Sequence, residues 1–357
     1  MAVIKFNGNS SAFYTDLKNR VDSYFRDHKI DPHGNFKIYL KSAIYIISFF
    51  TCYVVLVFFT PATLLSVILC VIFGLLTAAI GFNVMHDGGH GSYSPKKSVN
   101  RIAALSLNFL GGSSYLWNIK HNMIHHTFTN IDGHDDDILN EPFLRLCKSQ
   151  RRRIYHRFQY IYWVFIYGFM YFAWIFILDI MKYFRKGIAS KKNIQFKLKT
   201  HIGFWLTKIL YIGVFVVLPL QFMPWYTFLI GFGIWVYTTG LVTSTVFQLA
   251  HAVEETNFID GKTEDLENDW AVHQVLTTAN FGSRSKLLSF FTGGLNQQVE
   301  HHLFPKISHI HYPKLSPIVK ATCEQYGLAY LEQPTFFHAL ISHIKFLYKL
   351  GKKEYAV

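Results

Sequence analysis

Seven of the chain's 18 histidines fall in three tight groups. The first is His86-Asp87-Gly88-Gly89-His90. The second is His121-Asn122-Met123-Ile124-His125-His126, and the third Gln298-Val299-Glu300-His301-His302. Imidazole is a good ligand for iron, zinc, copper or nickel. On a helix, His86 and His90 project from one face, as do His121 and His125, while His126 turns to a neighbouring face. Seven imidazoles are too many for one ion and suit two. A lone histidine near a membrane interface is ordinarily just a polar residue. Three groups, each at or beyond the end of an apolar run, read together as a dimetal site.

The elements that must position these groups show in the distribution of charge. Ser42 to Met85 holds no Asp, Glu, Lys or Arg, and neither does Ile209 to Val253. Each stretch is about 44 residues, close to two membrane spans of roughly 20 residues joined by a tight turn. Pro61 and Pro224 lie near the two midpoints, where a turn between helices is expected. The pattern predicts an all-α integral membrane protein with four transmembrane helices in two hairpins, near 39–59, 62–84, 203–222 and 226–249. A cytoplasmic helical cap would hold the metals.

Basic residues gather on the side the hairpin ends share. They include Lys29, Lys37 and Lys41, Lys96, Lys97 and Arg101, Arg151 to Arg153, and Arg185, Lys186, Lys191 and Lys192. The positive-inside rule makes that side cytoplasmic, and the site with it. The net charge of +13 then faces anionic headgroups. No recognition motif supports nucleic-acid binding. The expected segments are a cytoplasmic N-terminal stretch over 1–37, with a surface helix at 10–29, and the first hairpin over 38–85. Cap residues 86–157 carry the first two histidine groups. An interfacial helix follows over 158–184, then the second hairpin over 203–250 and the remaining cap over 251–357. Phe158 to Leu178 is charge-free and long enough to span. A single odd crossing would separate the histidine groups, so the segment is expected to lie in the interface.

Composition agrees. Charged residues are 16% and hydrophobic ones 51%, against about 25% charged in soluble domains. Disorder is excluded. The four cysteines are scattered, with no CxxC pair, so a disulfide framework is excluded. The first 37 residues show no apolar signal-peptide core.

The three groups, with HDGGHGSYS at 86–94, KHNMIHHTFTN at 120–130 and GGLNQQVEHHLFPKISH at 293–309, resemble the histidine boxes of integral-membrane fatty-acid desaturases. The resemblance runs from about residue 80 to 330. Gln298 in place of a box-opening histidine resembles the front-end subgroup, which places a double bond between an existing one and the carboxyl end. The resemblance implies two iron ions, O2 as co-substrate and a fatty-acyl substrate carried on CoA or a lipid. Front-end enzymes often carry a fused cytochrome b5 domain with an HPGG motif. Pro32-His33-Gly34 does not match it, which implies a separate donor, ferredoxin or cytochrome b5 with its reductase.

The expected ligands are His86, His90, His121, His125, His126, His301 and His302, joined by His251, whose place resembles a further family histidine. Gln298 either ligates or orients a ring. Asn280 either completes a shell or holds a metal-bound water. Asp87, Asp132 and Glu300 are expected to accept from ligand N–H groups. The Asp135-Asp136-Asp137 run beside His134 reads as a solvated loop, and His273, His309, His311, His338 and His343 as surface residues. Paired glycines at 88–89, 111–112 and 293–294 suggest close backbone approach. No side chain breaks an unactivated methylene C–H bond, so a cofactor must. A hydroxylase built on the same plan is the alternative. A transporter would keep its ligands near the membrane midplane, and zinc catalysis needs about three protein ligands.

Overall fold

The computed structural model describes residues 4–7, 12–139 and 142–353. The described residues are mainly helical, with one short parallel ladder pairing Asn280–Phe281 with Glu332–Gln333 and three isolated β-bridges. Helix α1 is Ala12–His28. Helices α2 (Phe36–Phe59) and α3 (Thr63–His90) form the first apolar hairpin. Thr60 turns it with a φ of 40° ahead of Pro61. Helix α4 is Lys97–Phe109 and α5 covers residues 114–128. Helix α6 is Ile154–Arg185, and α7 (Leu198–Gln221) and α8 (Trp225–His251) form the second hairpin, with Pro224 capping α8. The cap adds α9 (Trp270–Thr277), α10 (Lys286–Thr292), α11 (Gln298–Leu303), α12 (Tyr312–Gln325) and α13 (Phe336–Gly351).

Among the described residues, five helices are long and apolar enough to cross a membrane: α2, α3, α6, α7 and α8. That is one more than the four expected, and the extra one is α6. Its ends have telling partners. Near the start, Gln159 Nε2 donates to the carbonyls of Arg145 and Leu347. Near the end, Lys182 pairs with Asp136. Both anchors belong to the region that carries the histidines.

Small residues let the helices close in. Gly168 of α6 faces the Tyr237 ring, and Gly240 of α8 faces the Gly168 and Tyr167 carbonyls, with no room for a Cβ at either glycine. Helices α3 and α8 meet at Gly74, where Thr239 Oγ1 donates to its carbonyl and Trp235 Nε1 donates to Thr77 at 2.8 Å. In the cap, α1 buries Phe13, Leu17, Val21 and Phe25, spaced four apart, against Val299 and Leu303 of α11 and Leu315 and Val319 of α12. That stripe is the amphipathic pattern expected near the N-terminus. It pins the helix to the third box.

Candidate metal centre

The histidine groups sit at the ends of four elements. His86 and His90 are in the last turn of α3, and His251 ends α8. His121, His125 and His126 lie in α5, and His301 and His302 in α11. The donor nitrogens of His86, His90, His121 and His301 lie within 4.8 Å of one another. Those of His125, His251 and His302 form a second such set, and His126 joins His301 and His302 in a third. The structure thus gathers all eight expected histidines into two adjoining clusters.

Helix geometry explains how His126 joins them. Five residues along an α-helix turn a side chain about 140° away from the starting face. Residues Asn118–His125 instead form a π-helix. With about 4.4 residues per turn, the offset at i+5 shrinks to about 50°. His126 Nε2 accordingly stands 3.2 Å from His121 Nε2. The expectation that His126 faces elsewhere is corrected: the widened turn brings all three imidazoles to one face. A second π segment, Gly81–Met85, leads into the first box.

Five of the clustered ring nitrogens lack protein partners. His90 Nε2, His125 Nε2, His126 Nδ1, His301 Nε2 and His302 Nε2 are buried with no hydrogen bond. His86 Nε2 faces His121 Nε2 at 3.1 Å. Two nitrogens each about 2.1 Å from one ion stand about 3.0–3.5 Å apart, so these spacings fit shared ligation. Buried polar nitrogens cannot be left orphaned cheaply, and a metal pair would satisfy them together.

The outer nitrogens are held by neighbours. His302 Nδ1 donates to Gln274 Oε1 at 2.8 Å, and His125 Nδ1 to the Asp135 carboxylate at 3.0 Å. His301 Nδ1 bonds the Tyr312 hydroxyl at 3.2 Å, and His251 Nδ1 reaches the Thr277 carbonyl at 3.4 Å. Such bonds fix the tautomer and leave the opposite nitrogen for a metal in His125, His301 and His302, while on His251 the opposite nitrogen meets Gln298. Burial, and then the neighbouring imidazoles, hold His121, His126, His301 and His302 well below the ordinary histidine range. They are neutral donors at neutral pH. Burial also pulls on His125, but Asp135 beside it wins and raises it.

Several expectations are corrected here. Asp135 is fully buried and braces a box imidazole, and its neighbours each take a lysine: Asp136 takes Lys182 and Asp137 takes Lys120. The acidic run is a wired loop, not a solvated one. Asp87 serves no box imidazole; it accepts from His309 Nδ1 and Ser308 Oγ, both at 2.9 Å, with Lys41 on the far side of His309. Asp132 accepts from Ser149 and Gln150 instead. Glu300 accepts from Asn280 and Tyr330. Asn280 is occupied with the α11 turn, its Oδ1 taking the Val299 N–H at 2.9 Å. Gln298 does reach the cluster, its amide nitrogen 2.9 Å from His251 Nε2. His273, His309, His311 and His343 are buried rather than on the surface, while His338 is exposed. His273 Nε2 donates to the Thr129 carbonyl, so the next residue, Gln274, is the one that meets the site. Asp135, Gln274 and Tyr312 were not anticipated. Only the position of Gln274, beside His273 on a short apolar helix, offered any signal.

Trp117 closes one side, its ring stacked on His121 at 4.6 Å and filling the space where Gly89 has no Cβ. Phe247 closes another, within 5.7 Å of His121, His125 and His251.

Comparison with known proteins fits this geometry. The profile of the fatty acid desaturase family matches residues 62–334. The chain is 36% identical to an sn-1 linoleoyl-lipid 6-desaturase of Arthrospira platensis, over 96% of this chain and 94% of that one. It is 36% identical to the enzyme of the same name from Synechocystis, over 98% of each. An acyl-lipid (8-3)-desaturase of Physcomitrium patens is 35% identical over 96% of this chain and 72% of its own. Apolar helices, converging histidines and these relatives together place the chain in the fatty acid desaturase family, as an oxidoreductase of the membrane.

Proposed function

We propose that the protein inserts a double bond into a fatty-acyl chain carried on a membrane lipid, between an existing double bond and the carboxyl end. The relatives named above as acyl-lipid desaturases support the lipid carrier and the front-end position. The observation that carries the reading is the pair of adjoining clusters with inward-facing, unpartnered nitrogens. His86, His90, His121 and His301 would hold one iron, and His125, His251 and His302 the other, with His126 between them. When bound, the metal pair supplies what no side chain has: use of O2 and two electrons to remove hydrogen from unactivated methylenes.

The chain's own residues do the rest. Asp135, Gln274, Tyr312 and the Thr277 carbonyl hold ligand protons on the outer nitrogens and fix ring orientation. Gln298, whose amide lies against His251 Nε2, stands where other family members are expected to carry a histidine. Trp117 and Phe247 keep water from the inner face. The two anchors of α6, both on the histidine-bearing region, favour its lying along the interface, which leaves four crossings. With the basic residues on the histidine side, the centre would face the cytoplasm. Electrons would come from a separate ferredoxin or cytochrome b5 with its reductase.

The test is a lipid assay. The chain is expressed in a host lacking polyunsaturates and given linoleate and α-linolenate, with His301→Ala/His302→Ala as control. Gas chromatography and mass spectrometry should show a new double bond on the carboxyl side, absent from the control. A hydroxylated product would move the assignment to the hydroxylase reading.

A further inference from the structure

We propose that the basic hairpin of residues 185–199, with Met123 at its edge, is the docking surface for a small acidic electron-carrier protein. This rests on the reading that a separate donor reduces the metal centre. The segment carries Arg185, Lys186, Lys191, Lys192, Lys197 and Lys199 and no acidic residue. Lys186, Lys192, Lys197 and Lys199 are exposed.

The hairpin is a packed platform. Ile188 and Ile194 are buried against Leu116, Ile119 and Ile124 of α5. Ile188 and Lys191 exchange two backbone hydrogen bonds of 2.9 Å, and the Tyr115 hydroxyl donates to the Gln195 carbonyl at 2.6 Å. Lys186, Ala189 and Asn193 all hold positive φ angles, of 48°, 46° and 57°. Left-handed backbone at non-glycine residues is costly and concentrates where geometry matters. Here it folds the lysines into a compact array.

This array reaches α5 at Met123, within the second histidine group. Met123 is 47% exposed, and it stands two residues from His121 on one side and from His125 on the other. Lys191 Nζ lies 3.6 Å from its sulfur. An exposed, polarizable methionine beside a lysine suits a transient protein contact. Exposed Phe184 and Leu198 flank the base of the hairpin, where the bilayer meets it, while the tip at Lys191 reaches α5.

A second segment that touches the histidine region has the opposite sign. Residues 254–269 hold seven acidic residues against one lysine and lead into Trp270, whose Nε1 donates to the His126 carbonyl at 2.8 Å. An acidic carrier is repelled there and drawn to the hairpin. Two visits by a one-electron carrier, each leaving it oxidised, supply one turnover: –CH2–CH2– + O2 + 2 e⁻ + 2 H⁺ gives –CH=CH– + 2 H2O.

The full chain in nanodiscs is assayed with reduced plant-type ferredoxin and, separately, with the reduced soluble domain of cytochrome b5. Dithionite serves as the small-molecule reductant. Lys191→Glu/Lys192→Glu/Lys197→Glu should raise the KM for the carrier about tenfold and flatten its salt dependence, with dithionite-driven desaturation unchanged. Glu264→Lys/Glu267→Lys should leave that KM the same or lower it. Carbodiimide cross-linking of the unaltered protein to the carrier should map to Lys191, Lys192 or Lys197, which decides the matter if the triple variant misfolds. Carrier KM unchanged in the triple variant, or cross-links confined elsewhere, would overturn the proposal. So would loss of co-purifying anionic phospholipid with carrier kinetics intact, which would assign the hairpin to the bilayer. Failure of the desaturase reading looks different: no desaturation by the unaltered protein even with dithionite.

Discussion

At the scale of single residues, the cluster makes unequal demands on its histidines. His301 belongs to two of the ligand sets and His251 to one. His301→Ala should therefore deplete iron more than His251→Ala, read as iron per chain after purification. Asp135 holds the His125 proton on Nδ1 from full burial. Asp135→Asn keeps the shape but removes the charge that favours this tautomer. Loss of such a partner typically weakens metal binding about 10–100-fold. Competition with a chelator would measure that drop, and an unchanged affinity would remove Asp135 from the centre. The roles of Asp135 and Gln274 were not legible in the chain, because a carboxylate ten residues from its histidine and a glutamine 28 residues from its own form no motif, and Gln274 was marked only by its place beside His273.

At the scale of elements, much was legible. The hairpins followed from long charge-free runs, since a lipid-facing helix has nowhere to put a charge. The spans begin or end within about six residues of the positions expected. The π turn of α5 was not legible, because the same spacing of histidines is compatible with either helix type. Burial of His309 and His343 was not legible either, as the cap packs by tertiary contact and shows little periodicity. The α6–α8 contact yields a further expectation. A Cβ at Gly240 meets the α6 backbone, which cannot step aside as a side chain would. Gly240→Leu should lower the unfolding midpoint in nanodiscs by several degrees, in the range of about 1–3 kcal/mol for overpacking. A midpoint equal to that of the unaltered protein would show that α6 rides more loosely than the structure indicates.

At the scale of the whole molecule, buried neutral histidines set an acid limit. His343, in α13, links the Tyr167 hydroxyl of α6 to the Ala252 carbonyl just beyond α8. Burial lowers it to about 4, and His273 likewise. Each is depressed in the folded state, so each contributes fully above the ordinary value near 6.5 and loses that contribution as pH falls toward 4. The loss per residue reaches up to about 3 kcal/mol at the lower end. Thermal unfolding at pH 7.5 and pH 5 should show a marked fall, and His343→Gln, which does not titrate, should lessen it. An equal fall in both proteins would place the acid sensitivity elsewhere.

The scattering of the ligands along the chain also bears on how the protein is made. Each of the three all-histidine sets contains a residue of the third box, His301 or His302. The helix that carries them packs against α1 at the opposite end of the sequence. A ribosome that has produced both hairpins has therefore completed none of these sets, and α1 must wait for partners not yet translated. Iron captured early would be held by fragments of a site. Metal loading would then follow synthesis, when the last quarter of the chain folds back over the first.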